Sequence, residues 1–223
     1  MKISLIIPIY NESKTIGKML SQLDQLSGDW EILFADGGSM DDTLERIGDR
    51  YTVLPCPKGR ANQMNFAASQ ASADVLWFVH CDSALPRDAH DQISRAVEHG
   101  AQWGCFHIGF DYDGPFMGCN TFMSNRRAIM DHIAFGDQGI WIRRELFLNQ
   151  GGFPELPIME DYEFSRRMKG TPVCQLPGRI ITSGRRYEKG FPIITALRMV
   201  HLRHLYRSGV DIQEIARRYK DIR

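Results

Sequence analysis

No uninterrupted apolar stretch in the sequence approaches the roughly 18 residues that a membrane-crossing helix requires, so no such span is expected. The opening residues, Met1-Lys-Ile-Ser-Leu-Ile-Ile-Pro8, hold an apolar run too short for a secretory signal core and broken by Pro8. Cysteine is sparse: Cys56, Cys81, Cys105, Cys119 and Cys174 are scattered, odd in number and without a C-x-x-C pair. That argues against a disulfide framework and a structural zinc site, and it fits a reducing cytoplasm. The closest histidine pair, His201 and His204, lacks cysteine partners. Net charge is missing too, with 27 Lys and Arg against 27 Asp and Glu, so a whole-molecule attraction to nucleic acid has no support. Finally, no G-x-G-x-x-G follows the first apolar run and no G-x-x-x-x-G-K-[ST] occurs anywhere. Dinucleotide oxidoreductases and P-loop NTPases are therefore disfavoured.

What remains is an ordinary globular composition, 43% hydrophobic and 24% charged, in 223 residues, which favours one main domain. The charge is unevenly placed. Gly184 to Arg223 holds ten Lys and Arg against four Asp and Glu, so the preceding part carries the balancing acidic excess. An acidic body with a basic tail suggests a cation site in the first and an anionic partner for the second, unless the tail is simply a solvated helical face.

Short apolar, β-branched runs alternate with helical spacing four times in the first hundred residues. Ile3 to Ile7, Glu31 to Ala35, Tyr51 to Leu54 and Val75 to Val79 read as strands. Between them, Ile16, Met19, Leu20 and Leu23 recur at helical spacing, with Asn11 and Ser13 supplying cap chemistry. A second helix opens at Asp41-Asp42, a third runs from Gln63 to Ala73, and a fourth ends near His99. This rhythm predicts a doubly wound, mostly parallel α/β sheet with helices on both faces. Beyond residue 100 the pattern is less regular, with strands at Gln102 to Phe110 and Ile140 to Arg143, and Val173 to Leu176 leading into Arg179 to Ser183. Helices are expected at Phe116 to Ile133 and Asp161 to Lys169 and through the last forty residues, where Ile193, Leu197, Val200 and Leu205 form an apolar face. Trp103 and Trp141 fit the core better than a ligand platform.

In such sheets ligands bind beyond the carboxyl ends of the strands. Three polar clusters fall there: Tyr10-Asn11-Glu12, Asp36-Gly37-Gly38-Ser39 and His80-Cys81-Asp82. Carboxylates in place of glycine-rich phosphate loops need another way to hold an anion. A divalent metal, Mg2+ or Mn2+, on Asp82 and bridging a diphosphate is the simplest, since hard cations prefer oxygen.

Together these motifs resemble family 2 glycosyltransferases. Ser4-Leu-Ile-Ile-Pro-Ile-Tyr-Asn-Glu12, Ala35-Asp-Gly-Gly-Ser39 with Asp41-Asp42-Thr43, and His80-Cys-Asp82 are similar to the family's nucleotide-binding half. Gly136-Asp-Gln138, Gly151-Gly-Phe-Pro154 and Met159-Glu-Asp161 are similar to its acceptor half. The stretches Lys58-Gly-Arg-Ala-Asn-Gln-Met-Asn65 and Ser183-Gly-Arg-Arg-Tyr187 further resemble a small bacterial subgroup often labelled arsenosugar-biosynthesis glycosyltransferases. The resemblance implies a GT-A-like, Rossmann-related catalytic domain over residues 1–190, with a nucleotide half at 1–100 and an acceptor half at 101–190. Residues 191–223 then form a helical segment packed on that domain or on a partner.

By the same resemblance, Pro8, Tyr10 and Glu12 line the nucleotide pocket and Asp36 bonds the base, which favours a UDP-sugar. Asp82 contacts the metal, although His80 stands where the commonest form has a further acid. Asp161 is the catalytic base, with Glu160, Asp137 and Gln138 near acceptor or donor sugar. Arg60 and Arg186 are candidates for the diphosphate, since guanidinium forks match phosphate oxygens. The expected acceptor is a small or lipid-linked hydroxyl compound. The basic tail suggests peripheral contact with the inner membrane face, or a homodimer contact. Two other classes compete. A sugar nucleotidyltransferase needs a glycine-rich basic loop after the first strand, which Ile9-Tyr-Asn-Glu-Ser13 is not. A binding module without catalysis needs no general base.

Overall fold

Every apolar run expected as a strand in the first hundred residues is one, in a computed structural model that describes residues 1–112, 114, 116–184 and 192–220. β1 (Ile3–Ile9), β2 (Trp30–Asp36), β3 (Thr52–Pro55) and β4 (Val75–Phe78) are mutually parallel, in the order β3-β2-β1-β4. They are linked by α1 (Ile16–Leu23), α2 (Thr43–Ile47) and α3 (Arg60–Gln70), and α4 (Ala89–Glu98) follows β4. The second half extends the same sheet with β5 (Trp103–Phe110), β6 (Trp141–Arg143) and β7 (Cys174–Thr182), giving seven strands in the order β3-β2-β1-β4-β6-β5-β7. β6 runs antiparallel to β4 and β5, while β5 and β7 are parallel.

Alternation along β1 divides the core. Ile3, Leu5, Ile7 and Ile9 pack on one face with Ile16, Met19 and Ile93 of the covering helices. Ile6 points to the other face with Leu76, Phe78 and the small residues Ala61, Ala67 and Ala68 of α3. Trp103 and Trp141 are fully buried in these clusters, as core residues. Pro8 is tolerated in a central strand because β1 outruns β4. Ile6 accepts the last bond from that side, from Val79 N, and Pro8 lies past it, where no donor is required. The chain steps from β1 towards β2 and β3, then returns to place β4 on the other side. The switch point therefore lies between β1 and β4.

The remaining helices are α5 (Met117–Met130), α6 (Arg144–Asn149), α7 (Glu160–Arg167), α8 (Pro192–Arg207) and α9 (Ile212–Lys220). Leu202 of α8 and Ile215 of α9 are buried in a third cluster with Ile133, Met159 and Tyr162. Two local expectations are corrected. Asn11 and Ser13 do not cap α1, whose N-cap is Thr15 with no side-chain cap bond. Nor is the apolar face expected on the last long helix the packed one. Ile193, Leu197 and Val200 are exposed, while Thr195 and Leu202 are buried and Met199, Leu205 and Tyr206 partly so.

Candidate functional site

The register of the sheet sets the first half of the site. Ile9 pairs with Asp36 and Asp36 with Pro55, so the loops after β1, β2 and β3 emerge at one level. Gln63 of α3 locks that edge: its buried amide donates to Ile9 O at 2.8 Å and Ala35 O at 2.7 Å. Asp36 is buried, and its carboxylate accepts from Gly38 N (3.1 Å), Ser39 N (3.1 Å) and Ser39 Oγ (2.6 Å). The carboxylate thus shapes its own turn while sitting at the strand end.

Asn11 adopts a left-handed backbone (φ 55°), which short polar side chains tolerate, and ties the first loop to the second. Its N–H donates to Ser39 Oγ at 2.9 Å and its Oδ1 accepts from Met40 N at 2.8 Å. Glu12 N donates to Thr43 Oγ1 and Ser13 N to Asp41 Oδ2. The Thr43 hydroxyl, before all else, pulls the Asp41 carboxyl down to about 2. Tyr10 lies under Lys58, whose Nζ is 3.7 Å from the ring centroid.

The loop after β4 joins this group. Thr15 Oγ1 donates to the Glu12 carboxylate and contacts Cys81 Sγ at 3.7 Å. Burial pushes the Cys81 thiol up to about 12, with Glu12 and Asp82 adding to the rise. Both carboxylates therefore lie within electrostatic reach of one sulfur, beside the switch point. Asp82 is partly exposed. β2 and β4 flank β1, and β4 ends level with Ile6, three residues short of the level of Asp36, so Asp36 and the β4 end stand roughly 14 Å apart.

The second half arrives at His80. Gly136 begins a 3-10 turn (Gly136–Gln138), and a side chain built there would come within 3.0 Å of His80 Nε2 and 3.4 Å of Asp161 Oδ2. Gly136 N donates to Asp161 Oδ2 at 2.7 Å, and Asp161 Oδ1 accepts from Tyr162 N at 2.7 Å. Glycine is what allows this close approach of three segments. Met159, just before α7, holds a left-handed backbone (φ 69°) with its side chain buried, strain of about 1 kcal/mol or more that aims the following acids.

Glu160 is buried and pairs with Arg60 Nη1 at 3.2 Å. Burial raises the Glu160 pKa, Asp161 raises it further, and Arg60 pulls it back. Burial works against the Arg60 charge, yet Glu160, Asp161 and Tyr219 of α9 outweigh it and raise its pKa. Arg60 was expected at the diphosphate; here one of its nitrogens is committed to Glu160.

Gln138 is fully buried, so its place is beneath the loop and not in the cleft. Its Oε1 accepts from Arg127 Nη2 at 2.9 Å and Phe135 N at 3.2 Å. Arg127 was not foreseen. Its guanidinium lies 3.7 Å from the Phe135 ring centroid, in the fields of Asp137 and Asp161, and burial pulls its pKa down to about 10. The helix carrying Asp161 is held from behind: Arg207 Nε donates to Tyr162 Oη, and Tyr206 Oη to Glu163 Oε2 at 3.1 Å. Asp137 is partly buried on the same turn. Arg186 lies outside the described residues.

Among the described residues, no group of three or more His, Cys, Asp or Glu side chains is placed to hold a metal, and no helix is long and apolar enough to cross a membrane. A hollow of about 320 Å³ lined by Asp74, Arg143 and Glu145 lies at the amino end of β4, away from these residues.

A protein-family model described as Glycosyl transferase family 2 matches residues 4–148. A dolichol-phosphate mannosyltransferase from Pyrococcus furiosus is 28% identical over 110 residues, 45% of this chain and 31% of that protein. TarS 1-349 from S. aureus, solved with UDP-GlcNAc, matches with a TM-score of 0.63 at 19% identity, over 83% of this chain and 59% of that one. The mannosyltransferase PcManGT from Pyrobaculum calidifontis, solved with GDP-Man and Mn2+, also gives 0.63, at 18% identity over 99% of this chain and 69% of that one. At such identities the structural likeness speaks for the fold alone. The chain spans less than a third of the Pyrococcus protein and about 60% of the TarS fragment.

Proposed function

Because this chain belongs to glycosyl transferase family 2, we propose that it transfers a sugar from a nucleoside diphosphate sugar to a hydroxyl acceptor, with inversion at the anomeric carbon. The observation that carries the proposal is the position of Asp161. Its carboxylate is fixed by Gly136 N beside His80, so the acceptor loop abuts the strand end that leads to Asp82.

In this mechanism the acceptor O–H gives its proton to Asp161 as its oxygen bonds the anomeric carbon, and the bond from that carbon to the diphosphate oxygen breaks. Asp36 faces the base from the end of β2, with Pro8, Tyr10 and Glu12 around the nucleotide. The Asp36 turn is braced by Ser39, so the pocket is held in shape before ligand arrives. Asp82 suits the role of lone protein anchor for Mg2+ or Mn2+, ions that keep most of their shell as water and phosphate oxygen and take one or two carboxylates. Such an ion supplies positive charge against the leaving diphosphate. Glu160 holds Arg60, and Gln138 holds Arg127 and the turn, so both act by positioning Asp161's surroundings. Asp137, partly buried on the same turn, is assigned to a sugar hydroxyl. Arg186 keeps its assignment to the diphosphate on sequence grounds.

The two solved structures named above hold a uridine and a guanosine donor, so the preference for UDP is the part most open to test. The narrower likeness to arsenosugar-type transferases bears on the acceptor, kept here as a small or lipid-linked hydroxyl compound. The experiment is to incubate the protein with UDP- and GDP-sugars, with and without Mn2+, and to follow nucleoside diphosphate. Slow release with one base series is expected. Pyrophosphate as the product, or stable donor binding with no release to water or any alcohol, overturns the proposal.

A further inference from the structure

Two helices of the second half carry an outward surface that the transfer chemistry does not use. α5 and α8 contain no Asp or Glu between them, in a chain with 27 such residues. On α5, Phe122, Met123, Ile129 and Met130 are 64%, 54%, 52% and 63% exposed. On α8, Ile193, Leu197 and Val200 are 43%, 61% and 50% exposed and lie three or four residues apart, so they form one stripe. The stripe continues into His204, also exposed. Arg126 stands exposed among the apolar residues of α5 and Arg198 beside those of α8. The helices converge on Phe135, where Arg127 from α5 and Arg203 from α8 lie 3.7 and 5.5 Å from the ring centroid.

The exposed stripe of α8 is not spare core, because the helix already buries its opposite side. Thr195 and Leu202 face the domain, and Tyr206 reaches Glu163. Large apolar side chains aimed at water, interleaved with arginine and free of acids, match a surface that lies flat in the boundary of a lipid layer. A second copy of the chain fits less well. Pairing this face with itself sets arginine against arginine, with no carboxylate on either helix to answer it.

We infer that the outer faces of α5 and α8 dock on an anionic lipid bilayer, the apolar side chains entering the headgroup boundary and Arg126 and Arg198 meeting lipid phosphates. Phe135 and Asp137 lie where the helices converge, next to Gly136 and Asp161, so the docked protein presents its acceptor side to the lipid. The corollary that the acceptor is itself held in the bilayer rests on the transferase proposal; the docking does not.

The test is co-sedimentation of the full chain with vesicles of phosphatidylcholine alone and of phosphatidylcholine mixed with phosphatidylglycerol, at low and high salt. Binding to the anionic vesicles at low salt should exceed that to neutral ones by about tenfold, and salt should reduce it. The double variant Leu197→Ser/Val200→Ser and, separately, Phe122→Ser/Met130→Ser should each lose most of the binding, and Arg126→Glu/Arg198→Glu nearly all of it, with circular dichroism unchanged. A folded wild type that stays in the supernatant with anionic vesicles overturns the inference. So does equal binding to both vesicle types, or a dimer by light scattering that these substitutions dissolve without any vesicle binding. Partition is read without turnover, so failed nucleoside diphosphate release leaves this result to stand by itself.

Discussion

The two halves of the proposed site, one assigned to the nucleotide and one to the acceptor, are stabilised by different means. In the nucleotide half, the polar side chains are tied to nearby loop backbone: Asp36 to Gly38 and Ser39, Asn11 to Met40, Asp41 to Thr43. Most of these bonds fall within one loop or between two loops that the sheet register already sets side by side. In the acceptor half, charged and polar side chains that are partly or fully buried answer one another across the chain, Arg60 to Glu160 and Arg127 to Gln138 near Asp161. The first arrangement holds a shape and is indifferent to who occupies it. The second holds a charge balance, and removing one member leaves another exposed to the full cost of burial.

The comparison is sharpest between Asp161→Asn and Asp36→Ala. Losing a general base costs about 10²–10⁴-fold in turnover. Asp161→Asn should therefore lower kcat by that order while donor binding, read by thermal shift with nucleoside diphosphate, is kept. Asp36→Ala should do the reverse. Donor affinity falls by roughly tenfold or more as a buried acceptor is lost, and kcat at saturating donor stays within a fewfold. If Asp36→Ala lost turnover and kept donor affinity, the division between the halves would be drawn in the wrong place.

A smaller but more specific effect is expected from Arg60→Met. Glu160 then keeps its burial and loses its partner. For a fully buried pair the loss would be several kcal/mol, but the Arg60 side chain is 41% exposed, and solvent screening cuts the expectation to about 1–2 kcal/mol. The sign with pH follows from the raised Glu160 pKa. A carboxyl whose folded pKa lies above its ordinary 4.5 gives its full contribution to stability below that value and loses it as pH rises through the folded pKa. Without Arg60 the folded pKa moves higher still. The deficit of Arg60→Met should thus be small at acid pH and grow towards neutrality, measured by urea melts across the range. Adding Glu160→Gln should remove the growth. A deficit constant with pH would mean that Arg60 stabilises by packing alone.

What was legible in the sequence follows the same division. Three of the four strands of the nucleotide half are apolar runs that end in a polar cluster, and the parallel sheet gathers such ends at one edge. Tyr10, Glu12, Asp36 and Asp82 could be placed there by pattern alone. Asp161 was accessible through its motif and its helix start. Arg127 was not: beside Arg126 on a helix it reads as one of two surface charges, and only the fold buries it under Phe135. Gln138 misled in the opposite direction, since a polar residue in a Gly-Asp-Gln turn suggests exposure and the turn folds it inward. α8 misled because it is apolar on both sides. Periodicity found the stripe of Ile193, Leu197 and Val200 but had no means of choosing it over the Leu202 side.

Gln138→Leu gives the smallest effect, and it tests whether the acceptor half depends on its buried polar network. Leucine removes the acceptor for Arg127 Nη2 and for Phe135 N, each worth about 1 kcal/mol or somewhat more because Arg127 is charged. Against that, Gln138 Nε2 is buried and has no hydrogen-bond partner among the described residues, so leucine also relieves a desolvated donor. The net loss should fall near 1 kcal/mol, a drop in Tm of roughly 2–4 °C for a domain of this size. Turnover should fall by more than stability implies, because Phe135 and Gly136 share the turn and Gly136 N fixes Asp161. Donor affinity should be unchanged, since Asp36 is held by its own bonds to Gly38 and Ser39. A variant with weakened donor binding and full kcat would show that the two halves share one network after all.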